Sequence, residues 1–445
     1  MHSSETAPGL VPILNLARSL FYFCMCAGAG ATELRAGALE DYLQLPDTNF
    51  AWVKIDEKQA EGFTVAHLQV TSQLWRTNLW THHVQIARPE KVRNPGIAFL
   101  YITGDGRGTS SLPLLQTLAG RAGAIAAVVT RVPNQPLYDG RKEDALIAYT
   151  FDQFLKTGDQ TWPLLFPMTK SAVRAMDAVQ AYARQEWRQK VDRFVVAGAS
   201  KRGWTTWLTG AVDPRVSAIA PMVIDMLNMR VQAAWAEKVY GKQSEQIHDY
   251  TDLDLIEKMD DPRMVTLRSW VDPYSYRQRY TLPKLLLLGT NDPYWTVDSL
   301  RHYWSDLPEP KLIFQTPNAG HDLGGGKEAT QTLAAYFEMI ADHKKLPKMN
   351  WQLQKDGRAE VSVFVNPPAK GIRLWTADSE DRDFRNDTWT SSELAIKPGS
   401  SKATAVVETP TKGYRAYLAE VVLTAPDGHE YKLSTEARVT PDNIK

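Results

Sequence analysis

From residue 97 onward the chain carries short, nearly uninterrupted apolar runs: Ile97–Ile102, Ala124–Thr130, Arg193–Ala197, Ala218–Val223, Lys284–Leu288 and Lys311–Gln315. A strand with one wet face alternates apolar and polar residues. Runs that are apolar at both parities belong to strands buried on both faces, the condition of a parallel sheet covered by helices. Helical patterns separate them, at Asp144–Phe154 and at Lys170–Lys190, where Ala172, Met176, Val179 and Ala183 fall at helical spacing. The alternation predicts an α/β fold with right-handed crossovers. Upstream, Phe63–Val70 and His83–Ile86 predict an antiparallel edge ahead of the parallel core.

Two segments break this rhythm. Residues 226–280 are too long for one crossover helix and combine a helical stretch, Val231–Tyr240, with an acidic one from Asp249 to Asp261. They are expected to form an inserted cap over a substrate pocket. After about residue 347 the pattern changes to short alternating runs, Val361–Val365, Ala403–Val407, Ala416–Leu423 and Tyr431–Leu433, with Pro and Gly between them. These predict a small antiparallel β-sandwich of immunoglobulin or fibronectin type. The expected organisation is a signal peptide at 1–31, an α/β domain at 32–346 and the sandwich at 347–445. A chain of 445 residues is long enough for one large and one small domain.

The signal-peptide reading rests on the apolar run Leu20–Met25 behind Arg18, followed by Ala29-Gly30-Ala31, which fits a signal-peptidase site. The run is too short to span a bilayer, so no stable membrane span is expected and the mature protein is placed in the periplasm or outside the cell. Both cysteines, Cys24 and Cys26, fall inside this segment, so a thiol nucleophile is not expected in the mature chain. Lys+Arg and Asp+Glu are both 51, which gives no global field to attract nucleic acid. No metal-binding spacing occurs, and His82-His83 on a strand would point to opposite faces. Neither a metal nor another cofactor is expected.

The chemistry concentrates at Arg193-Phe194-Val195-Val196-Ala197-Gly198-Ala199-Ser200-Lys201-Arg202-Gly203-Trp204. A buried strand runs into a tight turn with serine at its apex, and a helix starts at once. This is the nucleophile elbow of an α/β-hydrolase fold, with Arg202 in place of the usual glycine of G-x-S-x-G and Gly203 one position later. In that fold the acid and base follow in chain order. Lys284–Leu288 ends at Asn291-Asp292, and Lys311–Gln315 ends at Asn318-Ala319-Gly320-His321, so the candidate triad is Ser200, Asp292 and His321. Asp298 and Asp225 compete for the acid role.

The oxyanion hole is assigned to the Lys201 amide and to the glycine-rich loop at Gly104 and Asp105. Lys201 and Arg202 set two cations at the positive end of a helix, so they are candidates to hold a substrate carboxylate or phosphate. Trp204 and Trp295 complete the expected substrate contacts. Asn386-Asp387-Thr388 is a glycosylation sequon.

Gly198-Ala199-Ser200-Lys201-Arg202-Gly203-Trp204-Thr205-Thr206-Trp207 resembles the signature of the PhoPQ-activated pathogenicity-related proteins. So do Ser72-Gln73-Leu74-Trp75-Arg76, Pro133-Asn134-Gln135-Pro136, Glu143-Asp144-Ala145-Leu146-Ile147-Ala148-Tyr149, Pro167-Met168-Thr169-Lys170 and Leu374-Trp375-Thr376-Ala377. The resemblance implies an α/β-hydrolase fold and a place in bacterial virulence, and it makes Arg202 the family's own form of the elbow.

The expected function is a serine hydrolase that cleaves a small-molecule ester or a peptide through an acyl-enzyme, with an esterase favoured. The alternative is an inactive binding protein on the same scaffold, serving envelope stress or surface interaction. The oligomeric state is open.

Overall fold

The computed structural model describes residues 37–355, 358–396 and 401–443, so the signal-peptide reading and both cysteines lie outside the described residues. Nine strands form the central sheet in the order β1-β2-β3-β5-β4-β6-β7-β8-β9. They are β1 (Ala51–Ala60), β2 (Phe63–Trp75), β3 (Asn78–Pro89), β4 (Ile97–Ile102), β5 (Ile125–Val129), β6 (Arg193–Ala199), β7 (Val216–Met222), β8 (Lys284–Gly289) and β9 (Lys311–Thr316). β4 to β9 pair in parallel, whereas β1, β2 and β3 form the antiparallel edge. All six predicted parallel strands are present. β1 was not foreseen, because its residues are mostly exposed and carry no apolar run.

The continuous apolar runs follow from burial on both faces. Ala98, Leu100, Val196, Leu286 and Ile313 face one core, with α1 (Ala38–Gln44), α3 (Glu143–Thr157), α4 (Leu165–Trp187) and α5 (Lys201–Val212). Phe99, Val195, Ala197, Leu285 and Leu287 face the other, with α2 (Leu112–Ala122) and α9 (Lys327–Ala341). Between β7 and β8 the chain leaves the sheet and builds α6 (Met229–Tyr240), α7 (His248–Thr251) and α8 (Pro262–Val271), the stretch in which a cap is expected.

C-terminal to α9 lie two antiparallel sheets. One contains β10 (Lys348–Lys355), β11 (Arg358–Asn366) and β14 (Lys402–Val406). The other contains β12 (Gly371–Ser379), β13 (Thr390–Glu393), β15 (Tyr414–Thr424), β16 (Glu430–Ser434) and β17 (Arg438–Thr440). Val361, Val363, Tyr417 and Leu433 belong to the same apolar cluster as Leu333 and Phe337 of α9. The C-terminal sheets thus share a core with the α/β part, and Gly37–Lys445 is one compact unit.

Candidate active site

Ser200 follows β6 directly, with φ 57° and ψ −127°, and α5 begins at the next residue. A serine in this region of backbone space is strained and persists only where its surroundings hold it. Here its amide donates to the Met222 carbonyl of the adjacent β7 at 2.9 Å. Gly198 is required by crowding, since a Cβ there would stand 2.6 Å from the Arg202 carbonyl oxygen. The turn sets Ser200 at the N-terminus of α5, where unpaired amides and the helix dipole favour negative charge.

Two and three strands further along the sheet, beyond β8 and β9, Asp292 and His321 meet. His321 Nδ1 lies 2.8 Å from Asp292 Oδ2, and Asp292 Oδ1 accepts from the Tyr294 amide at 3.0 Å. A carboxylate only accepts, so in a neutral imidazole Nδ1 carries the proton and Nε2 is the acceptor. Nε2 is buried and makes no hydrogen bond to any described residue, Ser200 included. The Tyr294 ring lies against the imidazole with centroids 4.4 Å apart.

The competing acids are occupied elsewhere. Asp298 is buried between Arg382 (2.9 Å) and Arg301 (3.0 Å) and also accepts from Trp235 Nε1. Asp225 accepts from the Tyr303 hydroxyl at 2.6 Å. Burial pushes its carboxyl up to about 8, against the smaller opposing effect of that hydrogen bond.

The basic pair differs from the expectation. Arg202 binds Glu143 with both terminal nitrogens, at 2.6 and 2.7 Å, and donates through Nε to the Val132 carbonyl. Burial acts to raise the Glu143 carboxyl, but the Arg202 guanidinium outweighs it and holds it at about 2. Arg202 is therefore held in an internal ion pair and is not on the wall of the cavity beside Ser200, unlike the substrate contact that the sequence suggests. Lys201 does line the cavity, yet its ammonium is 2.7 Å from Asp144 and 3.5 Å from Glu143. Asp144 in turn accepts from the Tyr250 hydroxyl of α7 at 2.9 Å.

Of the expected oxyanion loop, the Gly104 carbonyl accepts from the Arg131 amide and its Cα packs on the Arg202 guanidinium. Asp105 is exposed near Lys142. Neither residue is on the wall of the cavity beside Ser200. Trp204 and Trp295 both are, Trp204 with its indole N–H given to the Val271 carbonyl.

That cavity has a volume of about 110 Å³. Ser200, Lys201 and Trp204 supply its floor, and the segment from Ile224 to Met259 supplies much of its wall, including Met226, Met229 and Met259.

The loops bearing Asp292 and His321 are fixed from the C-terminal sheets. Asn291 Nδ2 donates to the carbonyls of Phe384 (3.1 Å), Arg385 (3.3 Å) and Asp387 (2.8 Å). Asn318 Nδ2 donates to the Trp389 carbonyl at 2.9 Å, and Asn318 Oδ1 accepts from the Trp389 amide at 2.7 Å. Sequence reasoning missed these contacts, which span 71 to 96 residues. It also missed Glu143 and Asp144 as partners of the basic pair, although two adjacent acids at a predicted helix start were a usable signal. Among the described residues no group of three or more His, Cys, Asp or Glu could hold a metal ion, and no helix is long and apolar enough to cross a membrane.

The strand order, the serine turn and the loops beyond the parallel strands define an α/β-hydrolase fold of the kind seen in esterases. An acetyl xylan esterase from Paenibacillus sp. R4 superposes with a TM-score of 0.50 at 16% identity, over 67% of this chain and 91% of that one. Acetyl xylan esterase 1 from Thermoanaerobacterium sp. JW/SL YS485 gives 0.47 at 14% identity, over 67% and 90%. The chain belongs to the PhoPQ-activated pathogenicity-related protein family, whose match spans residues 39–385. A Dictyostelium discoideum relative, autocrine proliferation repressor protein A, is 31% identical over 453 residues, covering 91% of each chain.

Proposed function

We propose that the protein is an exported serine esterase in which Ser200 is the nucleophile, His321 the base and Asp292 the residue that orients it. The observation that carries this reading is Ser200 held at φ 57° at the head of α5, on the wall of an apolar cavity. Ser200 Oγ attacks the ester carbonyl as its proton passes to His321 Nε2, and the Lys201 amide stabilises the oxyanion. Collapse expels the alcohol, which takes the proton from His321 and leaves an acyl-enzyme. Water, deprotonated by His321, then releases the acid and restores Ser200. Asp292 holds the Nδ1 proton throughout and keeps Nε2 free. The 2.8 Å contact between His321 and Asp292 supports this order of roles. An esterase is favoured over a peptidase because the wall beside Ser200 is largely apolar.

A fluorophosphonate probe should label the folded protein, and Ser200→Ala should abolish both labelling and ester hydrolysis. Loss of a triad member is expected to lower kcat by about 10⁴- to 10⁶-fold. A second reading, in which the scaffold binds a partner without catalysis, is favoured by His321 Nε2 making no hydrogen bond to Ser200. Wild-type protein that is folded but never labelled would establish that reading instead. Export predicts a mature N-terminus at Thr32, which sequencing of the secreted or periplasmic protein would check.

A further inference from the structure

We propose that the substrate is an uncharged ester carrying, on one side of the scissile bond, an apolar group of about benzene size. The inference rests on the Ser200 reading above and deepens it to a substrate class.

The first argument is charge. Two cations, Lys201 and Arg202, stand beside Ser200, and in isolation they would attract an anionic substrate. Each is matched by a carboxylate, Asp144 at 2.7 Å and Glu143 at 2.6 Å. The four charges cancel, and Arg202 is turned to Glu143 and the Val132 carbonyl and is not on the cavity wall. A substrate carboxylate would therefore meet Asp144 and Glu143 as well as the two cations, and would gain no net attraction to offset its loss of water.

The second argument is hydrogen bonding. Most polar side chains on the cavity wall already have partners within the protein, the buried Trp295 indole N–H being an exception. Gln232 donates to the Leu227 and Ser299 carbonyls, Gln243 to the Ala233 carbonyl, Ser244 to the Pro293 carbonyl, and Tyr250 to Asp144. A ligand buried here finds few open donors or acceptors, so a polar group entering it would lose hydrogen bonds to water without replacement. What remains as a contact surface is apolar: Ile224, Met226, Met229, Ala233, Ile256 and Met259. Three methionines give the wall an adaptable, polarisable lining suited to chains of varied shape.

The third argument is size. The cavity measures about 110 Å³, and an engineered apolar cavity of about 150 Å³ holds one benzene. An acetyl group would leave most of this wall without contacts, while a ten-carbon chain would exceed it.

The test compares esters by pH-stat, in two arms that separate the acid from the alcohol side. One arm uses ethyl acetate, butyrate, hexanoate and decanoate, with monoethyl succinate as the anionic counterpart of ethyl butyrate. The other uses the acetates of ethanol, butanol, hexanol, decanol and benzyl alcohol. Each methylene entering an apolar site is worth about fourfold in kcat/KM. In one arm, kcat/KM should rise at least tenfold from two carbons to four or six and then fall, and monoethyl succinate should be at least tenfold poorer than ethyl butyrate. Ala236→Phe, which fills the cavity, should erase the ratio between hexyl or hexanoyl and two-carbon esters while melting like the wild type. Flat profiles in both arms, ratios unchanged in Ala236→Phe, or a preference for the succinate ester would overturn the substrate class. Hydrolysis of no ester, together with no Ser200-dependent fluorophosphonate labelling, would instead overturn the esterase reading on which it rests.

Discussion

Asn318 and Trp389 bind each other reciprocally, side-chain amide to main chain, at 2.9 and 2.7 Å, across the junction between the His321 loop and the C-terminal sheets. Asn318 has φ 56°, a conformation that asparagine tolerates better than most residues. Its main-chain N–H also donates to Thr290 Oγ1 at 3.0 Å, and the Asn291 main-chain N–H donates to the Ala319 carbonyl at 2.9 Å. The loops of Asp292 and His321 are thus tied both to each other and to residues 384–389.

This tie predicts that Asn318→Ala lowers kcat more than it raises KM. Removing the side chain leaves both Trp389 main-chain groups unpaired, worth about 1–3 kcal/mol, and frees the loop that aims His321. A tenfold or larger fall in kcat with KM within about twofold is the signature of lost positioning. Arg121→Ala provides the control. It removes the contacts of α2 to Glu338 and Asp427, far along the chain from both loops, and should lower the melting temperature without that fall in kcat. Equal kcat losses in the two variants would reduce the Asn318 contact to general docking.

The Arg202–Glu143 pair predicts acid sensitivity. Glu143 is held at about 2 in the folded protein, against about 4.3 in an unfolded chain. A lowered carboxyl stabilises the fold above the unfolded value and loses that contribution as pH falls through the folded one. Glu143→Gln should therefore be less stable than wild type at pH 6, and the gap should narrow from about pH 4.5 to pH 2, followed by urea unfolding. Arg202→Lys should not restore stability, because one ammonium cannot match a bidentate carboxylate and the Val132 carbonyl together. A full rescue by lysine would contradict this geometry.

Asp225 predicts the opposite slope. Its carboxyl is raised by burial to about 8 from about 3.9 unfolded. The folded state keeps a proton that the unfolded state releases, so the stability is fully present below about pH 4 and lost as pH rises through 8. Asp225→Asn keeps an acceptor for the Tyr303 hydroxyl and removes the titration. Denaturant titrations from pH 5 to 8 should show wild type losing stability relative to the variant, with a limiting slope of about 1.4 kcal/mol per pH unit. Parallel curves would mean that Asp225 is ionised in the fold.

Much of this architecture was legible because burial on both sheet faces writes directly into the sequence. Leu285 and Leu287 face one core while Leu286 and Leu288 face the other, and such a run has few alternative readings. The serine turn was legible because its glycine and its strand-to-helix junction are local. β1 was hidden because an exposed strand has no apolar signature. The fate of Arg202 was hidden for another reason: its partner Glu143 lies 59 residues away, and a cation beside a nucleophile reads as free until that partner is placed. The Asn318–Trp389 tie is likewise non-local, and asparagine in a turn ordinarily has a purely local explanation.

Gly289 ends β8 and allows the two loops to meet. A Cβ at this position would sit well inside van der Waals contact of the carbonyl oxygens of Ala319 and Gly320. Those atoms are backbone, so a rotamer change cannot relieve the clash. The same stretch carries the Asn291-to-Ala319 hydrogen bond, one residue from Asp292 and two from His321. Gly289→Ala should therefore move the two loops apart and lengthen the 2.8 Å contact between His321 and Asp292. The expected outcome is a fall in ester hydrolysis of at least a hundredfold with only a moderate drop in melting temperature, since the change adds a single methyl group at the end of one strand. In a proton spectrum, the hydrogen-bonded Nδ1 proton of His321 should shift or vanish in this variant and persist in Ser200→Ala. Wild-type activity in Gly289→Ala would show that the two loops tolerate separation, and that the contact between Asp292 and His321 does not limit the reaction.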